Sequence, residues 1–181
     1  MKKITTAIAF FTLVIIATGF TAAKEWFVRE TSNYTVQFPA APEHSTQSVP
    51  SEIGDLKMEI DIFDASKTKG DDNMVYGLVT SEYPDSLIDS DNKEILPTFF
   101  RNSTDGAVTN VKGKLLSENE ISIGGFPGYE IRIDFQEGLA VITMRSYLVH
   151  NKMYVLQVIS ETAKEKNRSA DKFFNSFKLK S

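Results

Sequence analysis

Two histidines, one arginine set among tyrosines, and several carboxylate pairs are the side chains of this 181-residue chain with types and spacing that could do chemistry. Catalysis needs groups that converge. His44 sits in a segment flanked by prolines, and His150 begins a turn-like His-Asn pair. Neither has a serine in a Gly-x-Ser-x-Gly context, and no His-Glu-x-x-His run is present. With no cysteine in the chain there is no thiol nucleophile, thiolate metal site or disulfide. The sequence therefore assigns no catalytic residue, no metal ligand set and no cofactor.

Other motifs have simpler readings. Glu130 and Asp134 flank Arg132 at strand spacing, which reads as a salt-bridged edge strand before it reads as an acid and base. Asp71-Asp72-Asn73 at a loop tip offers oxygens to calcium but lacks the spaced ligands and distal glutamate of a calcium loop, so it reads as a solvated turn. Ile123-Gly124-Gly125-Phe126-Pro127-Gly128 is glycine-rich, yet it has no lysine and opens no helix, as a phosphate cradle would. It reads as a tight turn. The candidate ligand site is Arg145 with the phenols of Tyr129, Tyr147 and Tyr154. A mid-strand arginine needs either an acid on a covering element or the carboxylate or phosphate of a ligand, and internal pairing is the simpler outcome.

The elements that would position this cluster are three consecutive strands. Tyr129, Ile131, Ile133 and Phe135 alternate with Glu130, Arg132 and Asp134, the period of a strand with unlike faces. Gln136-Glu137-Gly138 supplies a turn, Leu139 to Val149 a second strand, and Lys152 to Ser160 a third after His150-Asn151. Pairing from these turns predicts Ile133 opposite Val141, Tyr129 opposite Arg145, Arg145 opposite Leu156 and Tyr147 opposite Tyr154. Tyr129, Ile131, Ile133, Val141, Tyr147, Leu156 and Val158 would then share one face, and the apolar character of both faces calls for cover on both sides.

Upstream, Trp26 to Val28 and Tyr34 to Phe38 are short strand-like runs around a turn. Pro39, Pro42 and Pro50 predict an extended, poorly paired segment. Leu56, Met58, Ile60 and Ile62 alternate with Lys57, Glu59 and Asp61, the pattern of a half-buried strand. Val75 to Tyr83 returns as its partner. Asp91 and Glu94 resemble a capping box ahead of a helix over Asn92 to Asn110, with Pro97 as a candidate first turn. Lys114 to Ile123 returns to a strand pattern. Thr162 and Glu165 resemble a second box, ahead of a helix carrying Ala170, Phe173, Phe174 and Phe177 to about Ser176.

Lys2 and Lys3, the apolar run Ile8 to Ile16 and the small residues Thr21-Ala22-Ala23 have the form of an export signal over residues 1–23. The remainder, 24–181, has the length of one domain with its own core. Removing the leader takes two lysines from the 20 basic residues, leaving 18 against 24 acidic ones and a net charge of −6. That excess of acid argues against nucleic acid or an anionic membrane as partner. No second apolar stretch suits a transmembrane segment.

The phrases YTVQFPAAP, FFRNSTDGAVTNVKGKLLSENEISIGGFPGYE and FFNSFKL, with the meander between the last two, resemble exported bacterial proteins similar to PsbP, the extrinsic subunit of photosystem II, and to the DcrB-like proteins. The likeness runs from about Tyr34 to Leu179. It implies an α+β fold, a twisted, mostly antiparallel sheet with helices packed on both faces, in a superfamily that also holds a Ran-binding nuclear-import factor. It also implies a binding or assembly role, since known members of that superfamily are mainly binding or assembly proteins; its motifs mark a fold and not a catalytic site. The expectation is a periplasmic or secreted, non-enzymatic module that binds a protein or small molecule. The alternative is a hydrolase-like envelope enzyme using tyrosine or carboxylate groups.

Overall fold

The computed structural model describes residues 25–51 and 54–180; the leader read over 1–23 lies outside them. The elements in order are β1 (Phe27–Glu30), β2 (Tyr34–Phe38), β3 (Glu43–Ser51), β4 (Gly54–Asp64), β5 (Asn73–Glu82), α1 (Leu96–Asn110), β6 (Lys114–Ile123), β7 (Phe126–Phe135), β8 (Ala140–Val149), β9 (Lys152–Glu161), α2 (Arg168–Ser176) and β10 (Lys178–Leu179). Seven strands form one antiparallel sheet in the order β3-β4-β5-β9-β8-β7-β6, and β1-β2-β10 form a second.

The expected α+β sandwich, in which helices supply the cover on both faces, is not the fold that forms, because one face is closed mainly by a second sheet. Among the described residues the chain is mostly β, 51% strand and 18% helical, with two helices and two antiparallel sheets. The missing piece was the small sheet. Tyr34, Val36 and Phe38 of β2 are fully buried against Tyr76, Leu78, Tyr154, Leu156 and Val158 of the large sheet, so strands that read as a stray hairpin form a cover. α2 completes it with Ala170, Phe173 and Phe174. Phe173 joins the layers, its ring 5.1 Å from Phe38 in the small sheet and 5.4 Å from Tyr76 in the large one. On the other side of β7 to β9, α1 lays Phe100 near Leu148 and Met153, while Ala107 and Val108 meet Ile131, Ile133 and Ile142.

The register between β7 and β8 also differs from expectation. Ile133 pairs with Ile142, Asp134 with Val141 and Glu130 with Arg145. The connecting loop is one residue longer than its glycine suggested. Gln136, Glu137 and Gly138 all have positive φ, and Leu139, 70% exposed, stays in the loop instead of starting the strand. A shift of one residue exchanges the two faces of a strand. Tyr129, Ile131 and Ile133 consequently lie on the α1 side, while Tyr147, Leu156 and Val158 lie under α2 and the small sheet. Between β8 and β9 the register is as expected, with Tyr147 opposite Tyr154 and Arg145 opposite Leu156.

Three local readings are corrected. The proline-bracketed segment pairs with β4 from Glu43 to Ser51 as β3, an edge strand, where a proline without an amide hydrogen is tolerated. No side chain caps α1, which begins at Leu96 with Pro97 in its first turn. For α2 the cap is Asn167, whose side-chain oxygen accepts the Ala170 amide at 2.8 Å; Thr162 belongs to a separate 3-10 turn and Glu165 pairs with Arg132.

Candidate functional site

A groove of about 590 Å³ opens at the end of the molecule where the β1–β2, β6–β7 and β8–β9 turns meet β10. Its apolar wall is Phe126, Val149, Tyr154 and Leu179, and its cationic rim is Lys152 and Lys180. Asn33, Gly124, His150 and Asn151 complete the lining, which contains no carboxylate. Local sequence explains how these turns converge. Gly124 and Gly125 both have positive φ and turn the chain within two residues between β6 and β7. Lys180 donates its backbone amide to Asn33 O at 2.9 Å, holding the chain's last strand beside the β1–β2 turn.

Each lysine already has one acid, but outside the groove. Lys180 Nζ lies 2.7 Å from Glu30, whose carboxyl is held below its ordinary range by that hydrogen bond and charge. Lys152 Nζ lies 3.4 Å from Glu82. Each ammonium has three donors, so a single carboxylate leaves capacity for a second acceptor. A hollow of about 660 Å³ at the opposite end of β8 is bounded mostly by turn residues, among them Gly138, Leu139 and Thr162, and offers less recognisable chemistry.

The β8–β9 turn is lashed to the segment before α1. His150 N–H donates to Ser90 Oγ at 3.0 Å, and Ser90 N–H donates to His150 O at 2.9 Å. Asn151 Nδ2 donates to Tyr83 O at 2.6 Å, and Tyr83 N–H returns a bond to Asn151 O at 2.9 Å. These four bonds carry Asp89 and Asp91 to His150, so that one donor atom from each lies within 4.8 Å of the others.

The cluster expected around Arg145 is divided by the β7–β8 register. Tyr129 is on the α1 side, its hydroxyl donating to Glu120 at 3.0 Å and its ring 4.8 Å from Phe100. Arg145 is engaged internally: Nε donates to Glu130 at 2.7 Å, Nη1 to Asn175 at 3.2 Å, and the guanidinium lies 4.8 Å from the Phe174 ring. Tyr147 stacks on Phe177 at 6.1 Å, and Tyr154 packs against Tyr34 and Phe177. Burial pushes both phenols above the ordinary tyrosine range. Tyr154 alone of the four borders the groove.

A second polar cluster crosses between the sheets. Asp61, 2% exposed, accepts Arg29 Nε at 3.2 Å, contacts His44 Nδ1 at 2.9 Å and accepts the Tyr34 hydroxyl at 3.5 Å. Burial and then the Asp61 charge push the Tyr34 phenol up to about 12. Asp61 belongs to the polar phase of the alternation in β4. In the fold its side chain is covered while Ile62 is 39% exposed, because β1 brings Arg29 over the polar phase of the strand. At the Asp71–Asn73 tip the oxygens are also used internally: Asp71 accepts the Tyr76 hydroxyl at 2.8 Å, and the buried Asn73 exchanges amide hydrogen bonds with the cap residue Asn167 and accepts from Ser160.

Neither a search against protein-family models nor one against curated proteins finds a match for this chain. Among the described residues, no helix is long and apolar enough to cross a membrane. The sequence named Gly124, Phe126, His150 and Tyr154 singly, but the groove and the Asp89–Asp91–His150 group escaped it because their residues come from turns and strands far apart in the chain. The local signals that could have marked them are Asp-x-Asp at 89–91 and the placement of Phe126 and His150 at turn positions.

Proposed function

We propose that this chain is an exported, non-enzymatic binding module whose groove takes a small anion with an apolar body. The observation that supports the reading is the groove lining: an aromatic and aliphatic wall beside two lysines, with no acid, in a chain that carries more acid than base. Pockets of this size bind through apolar contact and a few placed polar groups. The leader read over residues 1–23 and the phrase-level resemblance to PsbP-like and DcrB-like proteins agree with an exported binding role.

Titration of the full mature chain with anilinonaphthalene sulfonate, followed by fluorescence and competed with octanoate, tests this. Saturable binding should weaken about tenfold in Lys152→Glu and Lys180→Glu, and similarly in Phe126→Ala, on the scale of one charge-assisted hydrogen bond or one buried apolar contact. Affinities unchanged in all three variants would remove the groove from consideration.

A second reading, a hydrolase-like enzyme, draws on His44. Its Nδ1 is oriented by a buried carboxylate, its side chain is 42% exposed, and a histidine so held is a familiar general base. Ester hydrolysis that disappears in His44→Ala would favour that reading over the binding module.

A further inference from the structure

We propose that Asp89, Asp91 and His150 form a binding site for a first-row divalent metal ion of the zinc class. The three residues come from two segments about 60 positions apart and meet only in the fold. Asp89 and Asp91 precede α1, whereas His150 heads the β8–β9 turn. One imidazole nitrogen and two carboxylate oxygens lie within 4.8 Å of one another. Zinc holds nitrogen and carboxylate oxygen at about 2.0–2.2 Å in a tetrahedral arrangement, which sets its ligand atoms roughly 3.4 Å apart. Donors up to 4.8 Å apart must close by up to about 1.4 Å to meet that spacing, a movement that side-chain rotations of the half-buried Asp89 and the exposed Asp91 and His150 supply.

The scaffold beneath these donors is fixed independently of them. Ser90, 1% exposed and lying between the two aspartates, makes both backbone-directed bonds to His150. Phe126 packs its ring against the imidazole, with centroids 4.9 Å apart and planes at 72°. Asp89 accepts the Asp91 amide at 2.8 Å through one oxygen, leaving its second oxygen for an ion. Imidazole with carboxylates suits zinc, nickel or cobalt, whereas calcium and magnesium prefer all-oxygen shells. Three protein donors leave at least one coordination position open, as catalytic and exchangeable sites do and closed structural sites do not. Lys93, whose ammonium donates to Ser90 O at 2.8 Å, places a positive charge next to the loop and moderates its affinity. His150 also lines the groove, so a metal held there would stand at the groove's edge.

The test is calorimetric titration of the mature, untagged chain with zinc chloride, repeated with calcium chloride and with cobalt chloride followed by visible absorption. The expected result is a saturable one-to-one zinc isotherm, weakened at least tenfold in His150→Asn and in Asp91→Asn, and unaffected in His44→Ala. Asparagine is chosen at position 150 because it tolerates the left-handed backbone there, where φ is 52°; circular dichroism checks that each variant is folded. Cobalt should develop ligand-field bands that are lost in His150→Asn. Three outcomes overturn the proposal: no saturable zinc binding, zinc binding that persists in His150→Asn, and calcium binding as tight as zinc and independent of His150. The last would describe an acidic surface only.

Discussion

Replacing Phe173 with alanine tests the central claim about the fold, that α2 and a small sheet jointly close one face of the large sheet. Phe173 is completely buried, and its ring contacts Phe38, Tyr76 and Phe174 with centroids 5.1, 5.4 and 5.6 Å away. Truncating a buried phenylalanine removes its transfer energy and leaves a cavity, together about 3–5 kcal/mol. The upper half of that range applies, because Phe173 is held by two different sheets and neither can collapse into the void without separating from the other. A chain of this length loses about 2–4 °C of Tm per kcal/mol, so the melt should fall by about 10 °C or more. Urea unfolding followed by circular dichroism supplies the free energy. A midpoint shift at constant slope would mean lost stability without a change in the surface exposed on unfolding. A loss below about 1 kcal/mol would contradict the placement of α2 between β2 and β5, since no buried aromatic at that junction could be removed so cheaply.

Four further outcomes are expected. Gly128→Ala should cost about 2–3 kcal/mol in the same urea assay, because the new methyl carbon would stand 2.3 Å from Ser146 O and 2.6 Å from Tyr147 Cδ1. Gly125→Ala, with open space around it but φ of 86°, should cost only about 1–2 kcal/mol. Tyr34→Phe should flatten the loss of stability in alkali. The Tyr34 phenol titrates near 10 in the unfolded chain and at about 12 in the fold, so its contribution is complete below pH 10 and disappears as pH rises through about 12, a change of roughly 2–3 kcal/mol. Urea melts across that window in both proteins measure the difference, and parallel curves would show that Tyr34 is not the group concerned. Arg145→Met should destabilise by about 1–2 kcal/mol through loss of the half-buried Glu130 bond while leaving anilinonaphthalene sulfonate affinity unchanged; weaker dye binding would instead point to a ligand at Arg145.

Local pattern carried the sequence reading as far as local physics reaches. The alternation of Tyr129 to Phe135, the glycine pair at 124–125 and the apolar spacing of Ala170, Phe173 and Phe174 placed β7, its preceding turn and α2, because strand and helix periods are properties of neighbouring residues. The His150-Asn151 turn set the β8–β9 register correctly for the same reason. One exposed leucine, Leu139, then changed the β7–β8 register and moved Tyr129 to the face opposite Arg145, since hairpin loop length is decided by backbone angles that Gln136 and Glu137 do not advertise. What packs on what was decided by the tertiary structure alone. The five residues of β2 became a cover for the large sheet, Asp61 was buried because β1 delivered Arg29 above it, and residues from turns far apart in the chain met in one groove. Short-range periodicity specifies elements, whereas the free energy of burying one element against another selects their partners, and that selection brings Asp89 and Asp91 to His150 across about 60 residues of chain.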